Sequence, residues 1–217
     1  MYHGSLPNRQ RKREAHTAMT AQPRRTVSPE EYVEFERNSD EKHEYYAGII
    51  YAMAGGSARH NRIAGSTYAA LYTHLRRRNC TVYPSDMRVK AIQTGLYTYP
   101  DISVVCGNEQ FEDKKQDTLL NPSIIIEILS PSTEKYDRGK KFQHYRSIFS
   151  LREYILIAQD EYHIEQFTRQ SDHTWVFSEA VGLSEMIHLA AIQCTLLLEE
   201  VYEQVDLSQS ETEEAEQ

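Results

Sequence analysis

Two short apolar runs each carry one carboxylate. Tyr99-Pro100-Asp101-Ile102-Ser103-Val104-Val105 has Asp101 at its start. Pro122-Ser123-Ile124-Ile125-Ile126-Glu127-Ile128-Leu129-Ser130-Pro131-Ser132-Thr133 has Glu127 at its centre, with isoleucine on both sides. A carboxylate inside an apolar strand is costly to bury unless a cation or a hydrogen-bond network compensates it. Two of them, on strands that can be neighbours, point to a shared cation. Carboxylate oxygens at roughly 2.0–2.1 Å suit Mg²⁺ or Mn²⁺. Asp101 and Glu127 would supply two donors and a backbone carbonyl near Ile128 a third, leaving positions for water and a phosphate oxygen. Such a cation turns a water it holds into a better nucleophile at neutral pH and screens charge building on phosphorus. The other reading is structural: Glu127 in a buried ion pair with Lys141 or an arginine.

The lysine follows from periodicity. A helix is expected from about Asp137 to Ile148. On its wheel Lys141, Tyr145 and Ile148 share one face with Phe142 beside them, while Lys140, His144 and Ser147 share the polar face. Lys141 is therefore the lysine aimed inward, where an ammonium could orient the water or stabilise the transition state. Tyr145 reads as core, with a hydroxyl that could reach a phosphate. Glu44 stands beside two tyrosines in His43-Glu44-Tyr45-Tyr46. His60 opens a second helix, either as a structural first-turn residue or as a phosphate or substrate contact. Asp86 reads as a turn residue that could also face the site.

The elements that must position these groups can be taken in order. The first 25 residues are polar and basic, read as a disordered tail or a DNA-contacting arm. Ser28-Pro29-Glu30-Glu31 is a helix start: Ser28 as N-cap, Pro29 at the first position and Glu31 completing a capping box. Residues 43–53 read as a hairpin turning at Ala47-Gly48. From His60 to about Arg78, Ile63, Thr67, Leu71 and Leu75 form an i, i+4 stripe, closed by Arg76-Arg77-Arg78, which suit the helix dipole or contact phosphate. Residues 81–83 and 87–92 are strand-like. A charged loop is expected from Gly107 to Asn121. Strands follow at 154–158, after the Asp160-Glu161 turn at 163–168, and at 175–177. Leu196 to Tyr202 is expected to end the fold as a helix, and the domain is placed at 26–203 before an acidic tail at 204–217.

Composition sets outer limits. The chain has 217 residues, of which 40% are hydrophobic and 26% charged, enough for one domain with a real core. Its net charge of −8 means that any nucleic-acid site must be a local basic patch. The three cysteines, Cys80, Cys106 and Cys194, fit neither a zinc spacing nor an even disulfide framework, which favours a reducing compartment. No signal-peptide core and no membrane-spanning run is present, so a cytoplasmic protein is expected.

Pro100-Asp101, the segment from Glu127 to Thr133, then Asp137-Arg138-Gly139-Lys140-Lys141-Phe142 and Tyr145 together resemble the Uma-two family, bacterial endonuclease-like proteins of the PD-(D/E)XK superfamily. The resemblance covers roughly residues 26 to 200, Glu44 and His60 included. It implies an α/β fold with a mixed sheet: a restriction endonuclease-like αβββαβ core with the N-terminal helix and β-hairpin. It implies Asp101 and Glu127 as metal ligands and Glu44 as a further acidic ligand or water-positioning group. Leu129 occupies the place of the superfamily lysine. The lysine of this family stands on the following helix, and Lys141 matches it, as the wheel independently indicates. The implied activity is Mg²⁺- or Mn²⁺-dependent hydrolysis of nucleic acid, DNA before RNA, with a homodimer as a fair expectation. The alternative is a domain that keeps the fold and binds nucleic acid or protein without chemistry.

Overall fold

Residues 26–207 are described by the structure, a computed structural model. The expected basic tail at 1–25 and the acidic run 208–217 lie outside the described residues. In chain order the elements are α1 (Pro29–Arg37), β1 (His43–Tyr46), β2 (Ile49–Ala52), α2 (Ala58–Leu75), β3 (Cys80–Pro84), β4 (Arg88–Ala91), β5 (Leu96–Thr98), β6 (Ile102–Cys106), β7 (Thr118–Leu119) and β8 (Ile124–Ile128). Then come α3 (Glu134–Tyr136), a π-helical turn (Asp137–Lys141), α4 (Phe142–Tyr145), β9 (Glu153–Ile157), β10 (His163–Arg169), β11 (Trp175–Val181), β12 (Met186–Leu189), β13 (Cys194–Leu197) and α5 (Leu198–Val201).

Local chemistry sets the first elements. The Ser28 side chain accepts from the Glu31 N–H and Glu31 returns a bond to the Ser28 N–H, closing the capping box, with Pro29 at the first turn. The β1–β2 hairpin turns through Ala47 (φ 49°) and Gly48 (φ 83°). A Cβ on Gly48 would meet Thr26 at 2.6 Å, so the turn needs glycine there. The α2 stripe Ile63, Thr67, Leu71 and Leu75 is buried throughout.

Both carboxylate runs lie in a six-stranded sheet of order β11-β10-β9-β8-β6-β3. β3, β6 and β8 are antiparallel neighbours, and β8 pairs parallel with β9. A parallel pair needs a crossover, which α3, the π turn and α4 supply. The order α2-β3-β6-β8-crossover-β9 is the expected αβββαβ core. Period-2 alternation along β8 divides its side chains. Ile124, Ile126 and Ile128 join the α2 stripe in one cluster, whereas Ile125 and Leu129 join Phe142, Tyr145 and Ile148 of the crossover in the other.

A second sheet, order β2-β1-β5-β4-β7, brings β1 and its Glu44 over the crossover. A buried polar network holds it and α1 in place. Glu36 accepts from the Tyr99 hydroxyl at 2.9 Å and from the His43 N–H at 2.9 Å. Arg88, only 2% exposed, donates to Thr118 Oγ1 at 2.9 Å and to Tyr99 Oη at 3.2 Å, and reaches Asp117 at 3.3 Å. This network pins Tyr99, two residues before Asp101.

Four expectations need correction. Cys80 and Cys106 form a disulfide, because the β3–β6 register sets them directly opposite each other with Cα atoms 4.0 Å apart. Sequence distance hid that pairing, and the cysteines no longer argue for a reducing compartment. The loop from Gly107 to Asn121 contains β7, parallel to β4 and too short to show a period. Leu196 and Leu197 belong to β13, paired with β12, and the closing helix is the short α5. An apolar run of that length suits strand or helix equally. Finally, Val205 and Leu207, past the expected boundary at 203, are buried in the α2-side core. No helix among the described residues is long and apolar enough to cross a membrane.

Removing Arg88 strands the polar groups it satisfies. We expect Arg88→Met to destabilise the fold by about 2–4 kcal/mol and the exposed Arg77→Met by less than about 0.5 kcal/mol, read by urea denaturation. Equal effects would contradict the network's role.

Candidate active site

Extending the β6–β8 register one residue beyond Ile102 and Ile126 sets Asp101 opposite Glu127. The Asp101 carboxylate is anchored there, with Oδ2 accepting the Ile128 N–H at 2.7 Å and lying 3.3 Å from His60 Nε2. The Ser57 hydroxyl caps α2 by accepting the His60 N–H, and this fixes the start of the helix that carries the imidazole. The hydrogen bond to Asp101 raises the His60 pKa against the opposing effect of burial.

Glu127 is 3% exposed. Its Oε1 lies 2.9 Å from Lys141 Nζ and accepts the Tyr145 hydroxyl at 2.7 Å. The Lys141 ammonium also lies 3.5 Å from Glu44 and 3.4 Å from Asp137. Glu44 is held from below by the Thr98 hydroxyl and by Tyr136 at 3.4 Å. Asp137 Oδ1 is buried 3.4 Å from Lys141 Nζ, an ion-pair contact rather than a close hydrogen bond among the described residues.

The electrostatics follow from four carboxylates meeting few cations. Burial pushes the Glu127 carboxyl up to about 8, with Lys141 opposing and Asp137 and Asp101 adding repulsion. Burial likewise raises Asp137. The surrounding carboxylates hold the Lys141 ammonium protonated, well above its ordinary range, despite its burial. Among the described residues, the cations in ion-pair contact with the four carboxylates are Lys141 and His60. No group of three or more His, Cys, Asp or Glu among the described residues is drawn together at metal-ligand spacing. The carboxylates are arrayed around the ammonium instead.

The structure therefore brings together Glu44, Asp101, Glu127, Lys141 and His60. One expectation changes. The Tyr145 hydroxyl is buried and committed to Glu127, so it positions that carboxylate rather than reaching outward. The Ile128 N–H holds Asp101, next to the Ile128 carbonyl expected as a donor. Asp86 stays in its turn, paired with Lys42 at the surface. Asp137 was not among the residues expected at the site. The signal for it was the same wheel that selects Lys141, because Asp137 precedes it by four and shares its face. The π turn over 137–141 presents both, and such turns recur at functional sites.

The model of a protein family described as "Putative restriction endonuclease", Uma2, matches residues 29–199. The chain belongs to the Uma2 family. Two uncharacterized Synechocystis proteins are similar to this Uma2 chain. One is 34% identical over 176 residues, covering 81% of the chain and 91% of the relative. The other is 36% identical over 152 residues, covering 70% and 86%. A crystal structure from Anabaena variabilis, described as a "putative nuclease belonging to DUF820", superposes with a TM-score of 0.67 at 17% identity, covering 81% of this chain and 97% of that one. At that identity it shows the fold, which is restriction endonuclease-like.

Lys141→Met leaves the carboxylates of this Uma2 protein without their central cation. The pKa values of Glu127 and Asp137, already raised by burial, then rise further above the unfolded ones. The stability they contribute is complete below the unfolded carboxylate range and is lost as pH rises through the raised values. We expect a loss of about 3–5 kcal/mol at pH near 8 and a much smaller loss at pH near 5, with the exposed Lys140→Met silent at both. A loss that does not grow with pH would contradict the arrangement.

Proposed function

We propose that this Uma2 protein is a divalent-metal-dependent endonuclease that hydrolyses phosphodiester bonds of nucleic acid, DNA in the first instance. The observation that carries the reading is the surplus of carboxylate at one place: Glu44, Glu127 and Asp137 share the single ammonium of Lys141, and Asp101, paired with His60, stands opposite Glu127. An all-oxygen donor set, in which burial and crowding push Glu127 and Asp137 up until a cation would hold them ionised, fits Mg²⁺ or Mn²⁺. Asp101 and Glu127 would hold the ion with the Ile128 carbonyl, and Glu44 would be a further acidic ligand or position the water. The ion would supply activation of water and screening of charge on the phosphate.

The chain's own residues do the rest. The Ile128 N–H and His60 fix one Asp101 oxygen and leave the other free. Tyr145 fixes Oε1 of Glu127. Lys141 keeps its proton in this field and offers N–H donors to the attacking water or to a non-bridging phosphate oxygen, where negative charge develops. His60, biased toward imidazolium by Asp101, is a second donor for the phosphate. The family's description as restriction endonuclease supports DNA as the substrate class.

The test compares wild type with Asp101→Asn and Glu127→Gln on plasmid DNA, with Mg²⁺ or Mn²⁺ and with chelator, after thermal melting establishes that each variant is folded. We expect metal-dependent nicking by wild type and a loss of roughly a hundredfold or more in each variant. Cleavage that persists in either variant, or in chelator, would overturn the assignment. Wild type that cuts nothing would put the non-catalytic binding domain ahead.

A further inference from the structure

The outer side of the crossover borders a cleft of about 460 Å³, lined by Arg146, Arg169, His173, Phe149, Trp175 and uncharged polar residues. Its size falls within the roughly 300–1,000 Å³ of small-ligand sites. Among the described residues no carboxylate lines it, although the chain carries a net charge of −8. The second cleft, about 240 Å³, differs: Glu30, Glu34, Glu112 and Asp113 line it, and its one cation, Arg37, is paired with Asp113.

Arg146 and Arg169 line the cleft and Arg152 stands beside it over Phe149, and none of the three is ion-paired with a carboxylate among the described residues. Each lies over a ring: Arg146 over Phe142 at 5.2 Å, Arg152 over Phe149 at 5.9 Å and Arg169 over Trp175 at 4.8 Å. Arg169 donates to the Phe149 carbonyl at 3.1 Å and to the Arg146 carbonyl, so it fixes the loop that presents both side chains. Burial and the neighbouring Arg152 lower its pKa, the effect expected where cations crowd together. Phe149 is 73% exposed, so its ring is accessible to a stacking partner.

We infer that this cleft is a binding site for an unpaired nucleotide of a single-stranded nucleic-acid segment, whose base stacks on Phe149 and whose phosphate meets Arg146 and Arg169. Fixed guanidinium forks suit phosphate, and exposed rings suit bases of any identity. A base inside a duplex is already stacked and cannot reach Phe149, so the site selects unpaired strand. Arg146 follows Tyr145, which holds Glu127. The crossover thus carries Lys141 on its inner face and Arg146 on the outer side that borders the cleft, so one element presents both the candidate site and the cleft. The inference rests on the nucleic-acid reading above but not on its chemistry.

The experiment measures fluorescence anisotropy of a labelled single-stranded DNA oligonucleotide and of its duplex, in chelator so that no cleavage intervenes. Wild type is compared with Phe149→Ala, Arg146→Gln and Lys114→Gln, a control at an exposed cation outside the cleft. We expect single-strand affinity to fall roughly tenfold or more in Phe149→Ala and Arg146→Gln, with Lys114→Gln close to wild type and duplex binding less affected by Phe149→Ala. Wild type that does not bind single strand, or cleft variants that bind it like wild type, would overturn the inference. The plasmid assay separates the two claims. Cleft-dependent binding without any cleavage would leave this site standing and remove the nuclease. Metal-dependent cleavage with unchanged single-strand affinity in Phe149→Ala would do the reverse.

Discussion

A carboxylate at the centre of a strand buried on both faces is the constraint from which the rest of the structure follows. Glu127 lies between isoleucines in the middle of the sheet, where an uncompensated charge would cost several kcal/mol. Lys141 meets that charge, but Lys141 is itself buried and draws in Glu44 and Asp137. The compensation overshoots, leaving more carboxylate than one ammonium balances. A purely structural ion pair needs one partner of each sign. This cluster keeps the surplus that a divalent ion would use.

Each neighbouring element can be understood as holding one member of that cluster. The β6–β8 register places Asp101 across from Glu127. The crossover, through its π turn, delivers Asp137 and Lys141 from the face that also buries Phe142 and Tyr145. The second sheet exists at the site for Glu44, and the Glu36, Tyr99 and Arg88 network ties that sheet to the start of the Asp101 run. Thr98, Tyr136 and Tyr145 then remove the rotational freedom of two of the acidic side chains. Such support by surrounding hydrogen bonds is what keeps a reactive set in geometry.

Much of this was legible in the sequence because it rests on period and local chemistry. Alternation along 124–129 assigns the two faces of β8 correctly, and the 3.6-residue wheel separates buried Lys141 from exposed Lys140. The Ser28 capping box is a three-residue pattern that reads without any tertiary knowledge. What stayed hidden depends on register and on contacts between distant segments. The Cys80–Cys106 disulfide needs the β3–β6 pairing, and β7 is too short to carry a period. Periodicity places Tyr145 in the core, but its hydroxyl partner, Glu127, stands on a different element and is set by tertiary packing. Asp137 has the right spacing on the same wheel, but the burial of its oxygen beside Lys141 is again a matter of tertiary packing.

The central claim is that Asp101 and Glu127 hold a divalent cation, and calorimetric titration of Mn²⁺ and Mg²⁺ tests it most directly. Wild type should bind saturably, and the folded Asp101→Ala/Glu127→Ala double variant should not bind. A wild type that takes up no ion, or a double variant that binds as tightly as wild type, would contradict the account and leave the carboxylates as a structural ion-pair set around Lys141.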